Sequence, residues 1–422
     1  MTVTFLKTAD RTAASGEADV RAKVEAILAD IEIGREERAR DYAGKLDGWS
    51  GEIRVSQERM GEIENQVPQR LKDDIRFARD NVRRFAQAQR AAISDVEIEI
   101  VPGLVAGHRN IPLATAGCYV PGGRYAHIAS AIMSVTTARA AGVKTIVACS
   151  PPRTEGGIHP AQLYALKVCG ADVVLNLGGV QGIAAMAFGL FGCPPADILC
   201  GPGNQFVAEA KRLLYGRVAI DMFAGPTESA VIADTSADPL IVAWDLIAQA
   251  EHGYNSPVWL IALDPGLANA VIKLAPELIA SLPEPNRSSA SAAWRDFAEV
   301  AVATTREEAA ELSDRYASEH VQVQCGDLDW WSRKLKNYGS LFLGEETTVA
   351  FGDKVSGPNH VLPTKGAARY TGGLSVGKFL KTVTWQRMTR EANRQIGPAT
   401  ARISRGEGME GHARSADIRL SK

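Results

Sequence analysis

The sequence predicts an α/β fold with two Rossmann-like, incomplete parallel-sheet domains and a small helical C-terminal tail domain. Three observations predict it. From residue 112 onward, apolar β-branched runs each end in glycine or proline and give way to a helix-like stretch. The same alternation resumes in a second region after residue 228. The 422 residues also exceed what one hydrophobic core supports.

The elements follow in order. Residues 18–33 and 68–92 carry apolar residues at helical spacing among Arg, Lys, Asp and Glu. Residues 96–100 alternate apolar and acidic, the pattern of a strand. Strands at 114–119, 145–149, 173–177 and 198–200 precede helices at 129–141, 160–169, 183–191 and 205–215. The junctions are Val-Pro-Gly-Gly (120–123), Ser-Pro-Pro (150–152), Gly-Gly-Val-Gln-Gly (178–182) and Gly-Pro-Gly-Asn (201–204). In the second region 230–233, 258–263 and 300–304 read as strands. Residues 239–251, 265–282 and 307–316 read as helices. Residues 283–291, with two Pro and three Ser, read as an irregular connector. The tail from about Leu374 reads as helical and basic.

Composition excludes several function classes. A formal charge of −2 provides no electrostatic footprint for nucleic acid. No apolar run approaches the ~20 residues of a membrane span. The first residues, Met-Thr-Val-Thr-Phe-Leu-Lys, lack a signal-peptide core, so a cytoplasmic protein is expected. Six scattered Cys, with no Cys-x-x-Cys, read as reduced and mostly buried thiols. A metal site must then draw on His, Asp, Glu or Gln.

Glycine after a strand lets backbone N–H groups approach a phosphate at a helix N-terminus. Any one of these turns reads equally as a tight connection without a ligand. Three on adjoining strands favour a dinucleotide crevice at the carboxyl ends of the strands.

Gln249 and His252 lie three apart on one helical face, a spacing that presents two ligands to one cation. Imidazole suits zinc, and a carboxylate commonly completes such a site. Asp353 and the Glu319-His320 pair are the candidates. Alone, Gln-x-x-His is a weak signal, because a histidine near a helix end also serves as a cap. Glu319 and His320 pair a carboxylate with an imidazole, the groups that move protons near neutrality. On a strand their side chains face opposite ways; in a turn both face one substrate. His360 follows Gly-Pro-Asn in a loop-like stretch, and His412 lies near the end of the chain. His108 and His159 have no supporting context.

Several ordered stretches resemble the histidinol dehydrogenase family over nearly the whole chain. They are Gly-Cys-Tyr-Val-Pro-Gly-Gly (117–123), Gly-Gly-Val-Gln-Gly-Ile-Ala-Ala-Met-Ala-Phe-Gly (178–189) and Gly-Pro-Gly-Asn-Gln-Phe-Val-Ala-Glu-Ala-Lys (201–211). Ile-Asp-Met-Phe-Ala-Gly-Pro-Thr-Glu (220–228), Gln-Ala-Glu-His-Gly (249–253), Glu-His (319–320), Gly-Pro-Asn-His-Val-Leu-Pro-Thr (357–364) and Gly-Leu-Ser-Val (373–376) continue the match. The resemblance implies a zinc-dependent enzyme that oxidises a primary alcohol through an aldehyde to a carboxylate, reducing two NAD. It implies zinc ligands at Gln249, His252, Asp353 and His412, the last from the partner subunit of an intertwined homodimer. It implies proton transfer by Glu319 and His320, and NAD contacts at Tyr119, Gln181 and Asn204. Substrate contacts are implied at Thr227, His360 and Glu407. The implied organisation is an arm (1–13), a discontinuous α/β domain with the metal and catalytic residues (14–118 and 228–373), an NAD-binding domain (119–227) and the tail (374–422).

The chain also departs from that pattern. Histidinol dehydrogenases carry small or apolar residues after the first Gly-Gly, then a substrate-contacting Ser. Here the stretch reads Arg124-Tyr-Ala-His127-Ile-Ala129, with Ala129 matching that Ser. Thr227 replaces the Ser of Gly-Pro-Ser-Glu, and Lys354 replaces a Tyr after the zinc Asp. Arg124, His127 and Lys354 suit a small anionic hydroxylated substrate and would repel the ammonium of histidinol. The stretch resembles the branch of the family that includes sulfopropanediol 3-dehydrogenase, which oxidises 2,3-dihydroxypropane-1-sulfonate to sulfolactate. Two other readings stand beside it: histidinol dehydrogenase proper, and a non-catalytic zinc- or nucleotide-binding homologue.

Overall fold

The computed structural model describes residues 3–10, 17–122, 126–153, 156–223 and 225–421. Strand β1 (Thr4–Lys7) precedes helix α1 (Glu17–Tyr42), and a π-helical turn at Ala43–Asp47 delivers Asp47 before Gly48 stops it in the left-handed region. Then come α2 (Gln57–Glu62) and α3 (Gln69–Ala91). In α3, Ile75, Ala78, Val82 and Ala86 recur at helical spacing and are the buried face. Strands β2 (Val96–Val101) and β3 (Leu104–Pro112) pair antiparallel.

Next are β4 (Thr115–Tyr119), α4 (Ile128–Ala141), β5 (Thr145–Ser150), α5 (Pro160–Cys169) and β6 (Val173–Asn176). They are followed by α6 (Gly179–Phe188), β7 (Ile198–Cys200), α7 (Gln205–Leu214) and β8 (Ala219–Ile220). These strands form one parallel sheet in the order β6–β5–β4–β7–β8. The strand order reverses between β4 and β7, the kind of switch point at whose carboxyl ends open α/β sheets bind ligands. One face packs on α3, α4 and α5; the other packs on α1, α6 and α7. Strands buried on both faces explain the continuous apolar runs in the sequence.

The second region holds β9 (Ser229–Ala233), α8 (Pro239–Ala250), β10 (Val258–Ala262), α9 (Pro265–Ser281), α10 (Asn286–Phe297) and β11 (Glu299–Val302). It continues with α11 (Arg306–Tyr316), β12 (His320–Gln324), α12 (Leu328–Lys334), β13 (Ser340–Leu343) and α13 (Val349–Gly352). Its sheet runs β1–β11–β10–β9–β12–β13, parallel except for β1 at one edge. Helices α8, α9 and α10 cover one face, while α11 and Trp331 of α12 pack on the other.

The chain closes with β14 (Leu380–Met388), α14 (Arg390–Gly406) and α15 (Glu410–Leu420). The tail is helical from Arg390 onward, as expected, but its start is a strand. Leu-Lys-Thr-Val-Thr-Trp-Gln-Arg-Met is β-branched and aromatic, and it completes a sheet ordered β14–β3–β2. Helices α14 and α15 then pack on each other around Ala401, Ala413 and Ala416. The expected connector at 283–291 is also corrected. Its proline-containing start leads directly into α10, whose Ala290, Ala293 and Trp294 are buried against the sheet. Among the described residues all six cysteines are buried free thiols, and no helix is long and apolar enough to cross a membrane.

Candidate active site

The second sheet presents its amino edge to the site. Glu228 immediately precedes β9, Glu319 immediately precedes β12, and His320 opens β12 opposite Ser229. The backbone of Glu228 ties these together: its N–H donates to Glu319 Oε2 at 3.1 Å, and its carbonyl accepts from His320 N at 3.2 Å. The carbonyl also lies 3.3 Å from His320 Nδ1. A carbonyl only accepts, so Nδ1 carries the proton and Nε2 keeps its lone pair. Nε2 is buried without a hydrogen-bond partner. The alternatives for the Glu-His pair thus resolve at a loop-to-strand boundary, with His320 Nδ1 3.8 Å from Glu319 Oε2.

Helix α8 runs back along this sheet and ends at the same edge. Gln249 sits in its last turn, and His252 follows just beyond. Asp353, at the C-cap of α13, joins the groups: Oδ2 lies 3.9 Å from His252 Nε2 and Oδ1 lies 3.7 Å from His320 Nε2. His360 Nδ1 donates to the Asp353 carbonyl at 2.8 Å, leaving Nε2 to accept from Ser130 Oγ at 3.2 Å. Thr227 lies beside Glu228 in the chain.

Burial sets the protonation states. It pushes His320 down to about 4, with His252 and His360 adding to the effect and Asp353 opposing it. It lowers His252 and His360 as well. Burial pushes Glu319 well above the ordinary carboxylate range, helped by Asp353 and Glu228, and raises Glu228 to about 7. Burial alone would raise Asp353, but His320, His360, His252 and Lys354 hold it below its usual value. His127 is pushed down to about 4 by burial, then by Lys354, His252, His360 and Arg153. Lys354 brings positive charge within electrostatic reach of His127, His252 and His360, and Arg153 acts on His127 as well, while His127 itself is neutral near pH 7. Arg124 lies outside the described residues.

The dinucleotide candidates gather at the carboxyl ends of the first sheet. Tyr119 ends β4, and its hydroxyl accepts from Gly179 N at 3.2 Å. Gln181 is fully buried, and its Nε2 donates to Asp47 Oδ2 at 2.8 Å. Asn204 caps α7, accepting from Phe206 N and Val207 N at 3.0 and 3.1 Å. Gly201 joins the turn to β4. A Cβ there would meet the Tyr119 carbonyl oxygen at 2.0 Å, and its φ of +112° suits only glycine. A buried ion pair holds this glycine at both ends. Asp221 Oδ2 accepts from Gly201 N at 2.8 Å, and Lys211 Nζ donates to Gly201 O at 2.9 Å and to Asp221.

Gln249, His252 and Asp353 suit a zinc ion as a set. The buried Gln249 Oε1 has no hydrogen-bond partner, and amide oxygen, imidazole and carboxylate are all donors that zinc accepts. Among the described residues no three of His, Cys, Asp and Glu cluster as a metal site by themselves. His412 and Glu407 are not brought to this site within the chain. Glu407 is exposed at the C-cap of α14. His412 lines an open groove with Thr389, Asn393, Ile396, Ser415 and Arg419.

Sequence reasoning missed Asp47, which also accepts from Gly178 N at 2.9 Å, and it missed Glu228, Ser130 and Arg153. Each acts on a residue distant in sequence, so local spacing carries no sign of it. Glu228 ends the 220–228 match, and Ser130 follows directly on the departing stretch at 124–129.

Comparison with known proteins places this geometry. The sequence model described as histidinol dehydrogenase matches residues 10–420. A histidinol dehydrogenase homolog of Ruegeria pomeroyi is 64% identical over 100% of this chain and 98% of its own length. Sulfopropanediol 3-dehydrogenase of the same organism is 61% identical over 100% of this chain and 97% of its own. The crystal structure of histidinol dehydrogenase from Elizabethkingia anophelis superposes with a TM-score of 0.92 at 33% identity, covering 98% of this chain and 94% of that one. The overall fold is therefore shared with that structure, and the chain belongs to the histidinol dehydrogenase family.

Proposed function

We propose that the protein is a zinc-dependent, NAD-linked dehydrogenase that oxidises 2,3-dihydroxypropane-1-sulfonate to sulfolactate. The carrying observation is that Lys354 and Arg153 lie close enough to His127, beside the His252–His360 cluster, for their positive charge to disfavour its protonation. A sulfonate suits those groups, whereas the ammonium of histidinol would be repelled. The 61% identity to a sulfopropanediol dehydrogenase, against 33% to a solved histidinol dehydrogenase, supports the same reading. Arg124 adds a further cation to this stretch of sequence.

Overall, the alcohol, two NAD⁺ and one water yield the carboxylate, two NADH and three protons. When bound, NAD supplies the hydride acceptor, and a zinc ion held by Gln249, His252, Asp353 and His412 orients substrate oxygens. His320 accepts the hydroxyl proton at Nε2, the lone-pair nitrogen left free by the Glu228 carbonyl. Glu319 takes a proton from water as it adds to the aldehyde, and burial, which raises its pKa, makes its carboxylate a stronger base. His360, oriented by Ser130 and the Asp353 carbonyl, contacts the substrate with Thr227. Tyr119, Gln181 and Asn204 line the dinucleotide crevice. We propose a homodimer in which the tail of a second copy brings Glu407 and His412 to this site.

The test is kcat/KM for NADH formation by the zinc-loaded enzyme on the sulfonate and on histidinol. A higher value on the sulfonate supports the proposal. A higher value on histidinol overturns the substrate, and no turnover of either supports a binding protein.

A further inference from the structure

Asp245 is a buried carboxylate four residues before Gln249, on the same face of α8. It accepts three hydrogen bonds, all from neutral donors. Oδ2 takes Gln322 Nε2 and, at 2.7 Å, Gln324 Nε2. Oδ1 takes Thr348 Oγ1 at 2.7 Å. No cation among the described residues pairs with it. A buried charge without a counterion is costly, and three donors aimed at one carboxylate offset that cost only in this one arrangement.

Those three donors belong to the other elements that build the site. Gln322 and Gln324 alternate with His320 on one face of β12. Thr348 is the N-cap of α13, its hydroxyl accepting from Ala350 N at 3.3 Å, and Asp353 is the C-cap of the same short helix. Asp245 therefore fastens together the helix that carries Gln249 and His252, the strand that starts at His320, and the turn that ends at Asp353. Gln322 and Gln324 spend their amide N–H groups on Asp245 while their Oε1 atoms stay buried and unpartnered, so no other bond sets their direction.

We infer that Asp245 is a positioning residue for the metal site, acting through Gln322, Gln324 and Thr348 to hold Gln249, His252 and Asp353 at a common spacing. The role rests on the zinc reading above. Thr348 is its most specific link, because it reaches Asp353 through a helix of only four residues.

The test is zinc affinity of the full-length protein, stripped and titrated against a chromophoric chelator. Melting of the metal-free protein and NAD affinity are measured alongside. Asp245→Ala and Thr348→Val are each expected to weaken zinc binding by about tenfold or more, in the range typical of outer-shell changes, with NAD affinity unchanged. Thr348→Ser keeps the hydroxyl and is expected to retain wild-type zinc affinity. If Thr348→Val and Asp245→Ala bind zinc within twofold of wild type, whatever happens to melting, Asp245 has no positioning role. If Asp245→Ala does not fold, the Thr348 pair decides. A wild-type protein that binds no zinc overturns the metal reading itself, an outcome distinct from a variant that matches a zinc-binding wild type.

Discussion

Replacing Lys211 by Met removes one charge from a pair whose side chains are 3% and 0% exposed. The methionine keeps most of the apolar stem, so packing is largely conserved. Asp221 is left as a buried carboxylate with two backbone donors, Gly201 N at 2.8 Å and Met222 N at 2.7 Å. Breaking a buried pair at one partner costs about 3–5 kcal/mol, and the two remaining donors favour the lower end. The Gly201 carbonyl also loses its donor, adding roughly 1 kcal/mol. A total loss of about 4 kcal/mol is expected in urea denaturation against wild type. Because Gly201 is pressed on Tyr119 and leads to Asn204, NAD affinity should also fall, by about tenfold for each ~1.4 kcal/mol that reaches the turn. Adding Asp221→Asn to Lys211→Met removes the stranded charge and should recover at least half the lost stability. A Lys211→Met protein within about 1 kcal/mol of wild type, with unchanged NAD affinity, would mean that the pair neither stabilises the fold nor holds the turn.

Other changes separate the roles within the site. His320→Ala should lower kcat by ~10²–10⁴-fold; unchanged turnover would remove it as the base. Lys354→Ala should raise KM for the sulfonate by about tenfold with kcat retained, and Arg124→Ala should act in the same direction; an unaltered KM takes either residue out of substrate binding. Glu228 is raised from about 4.5 to about 7 in the folded protein, so its contribution to stability is fully present below 4.5 and is lost as pH rises through 7. In metal-free protein, Glu228→Gln should therefore gain on wild type by up to about 3 kcal/mol between pH 5 and pH 8. Parallel stability profiles for the two proteins would show that Glu228 titrates like a surface glutamate.

Four strands of the first sheet, β4 to β7, were legible because they are buried and each leads into a glycine or proline turn, whereas the two-residue β8 was not. Periodicity alone places Tyr119, the 178–182 turn and Asn204 at one set of strand ends. In the second sheet β9, β10 and β11 were legible, but β1, β12 and β13 were not, nor was the sheet's use. Its reacting groups stand at the amino edge, where Glu228 and Glu319 precede their strands, whereas the general rule for open sheets points to the carboxyl edge. Strand β14 was hidden because it pairs with β3, more than 260 residues earlier in the chain; a basic stretch beside helical segments carries no mark of that partner. Asp47 and Asp245 were hidden for the same reason, since their hydrogen bonds join elements far apart in sequence. His252, Glu319, His320, Asp353 and His360 were visible as motif residues, yet only the folded chain shows Asp353 reaching both His252 and His320.

Substrate identity is tested most directly by the yield from limiting substrate. Purified zinc-loaded protein is given a small measured amount of 2,3-dihydroxypropane-1-sulfonate and excess NAD⁺, and NADH and products are quantified at completion. The expected result is two NADH and one sulfolactate per diol consumed. Histidinol giving two NADH per molecule while the sulfonate gives none would contradict it.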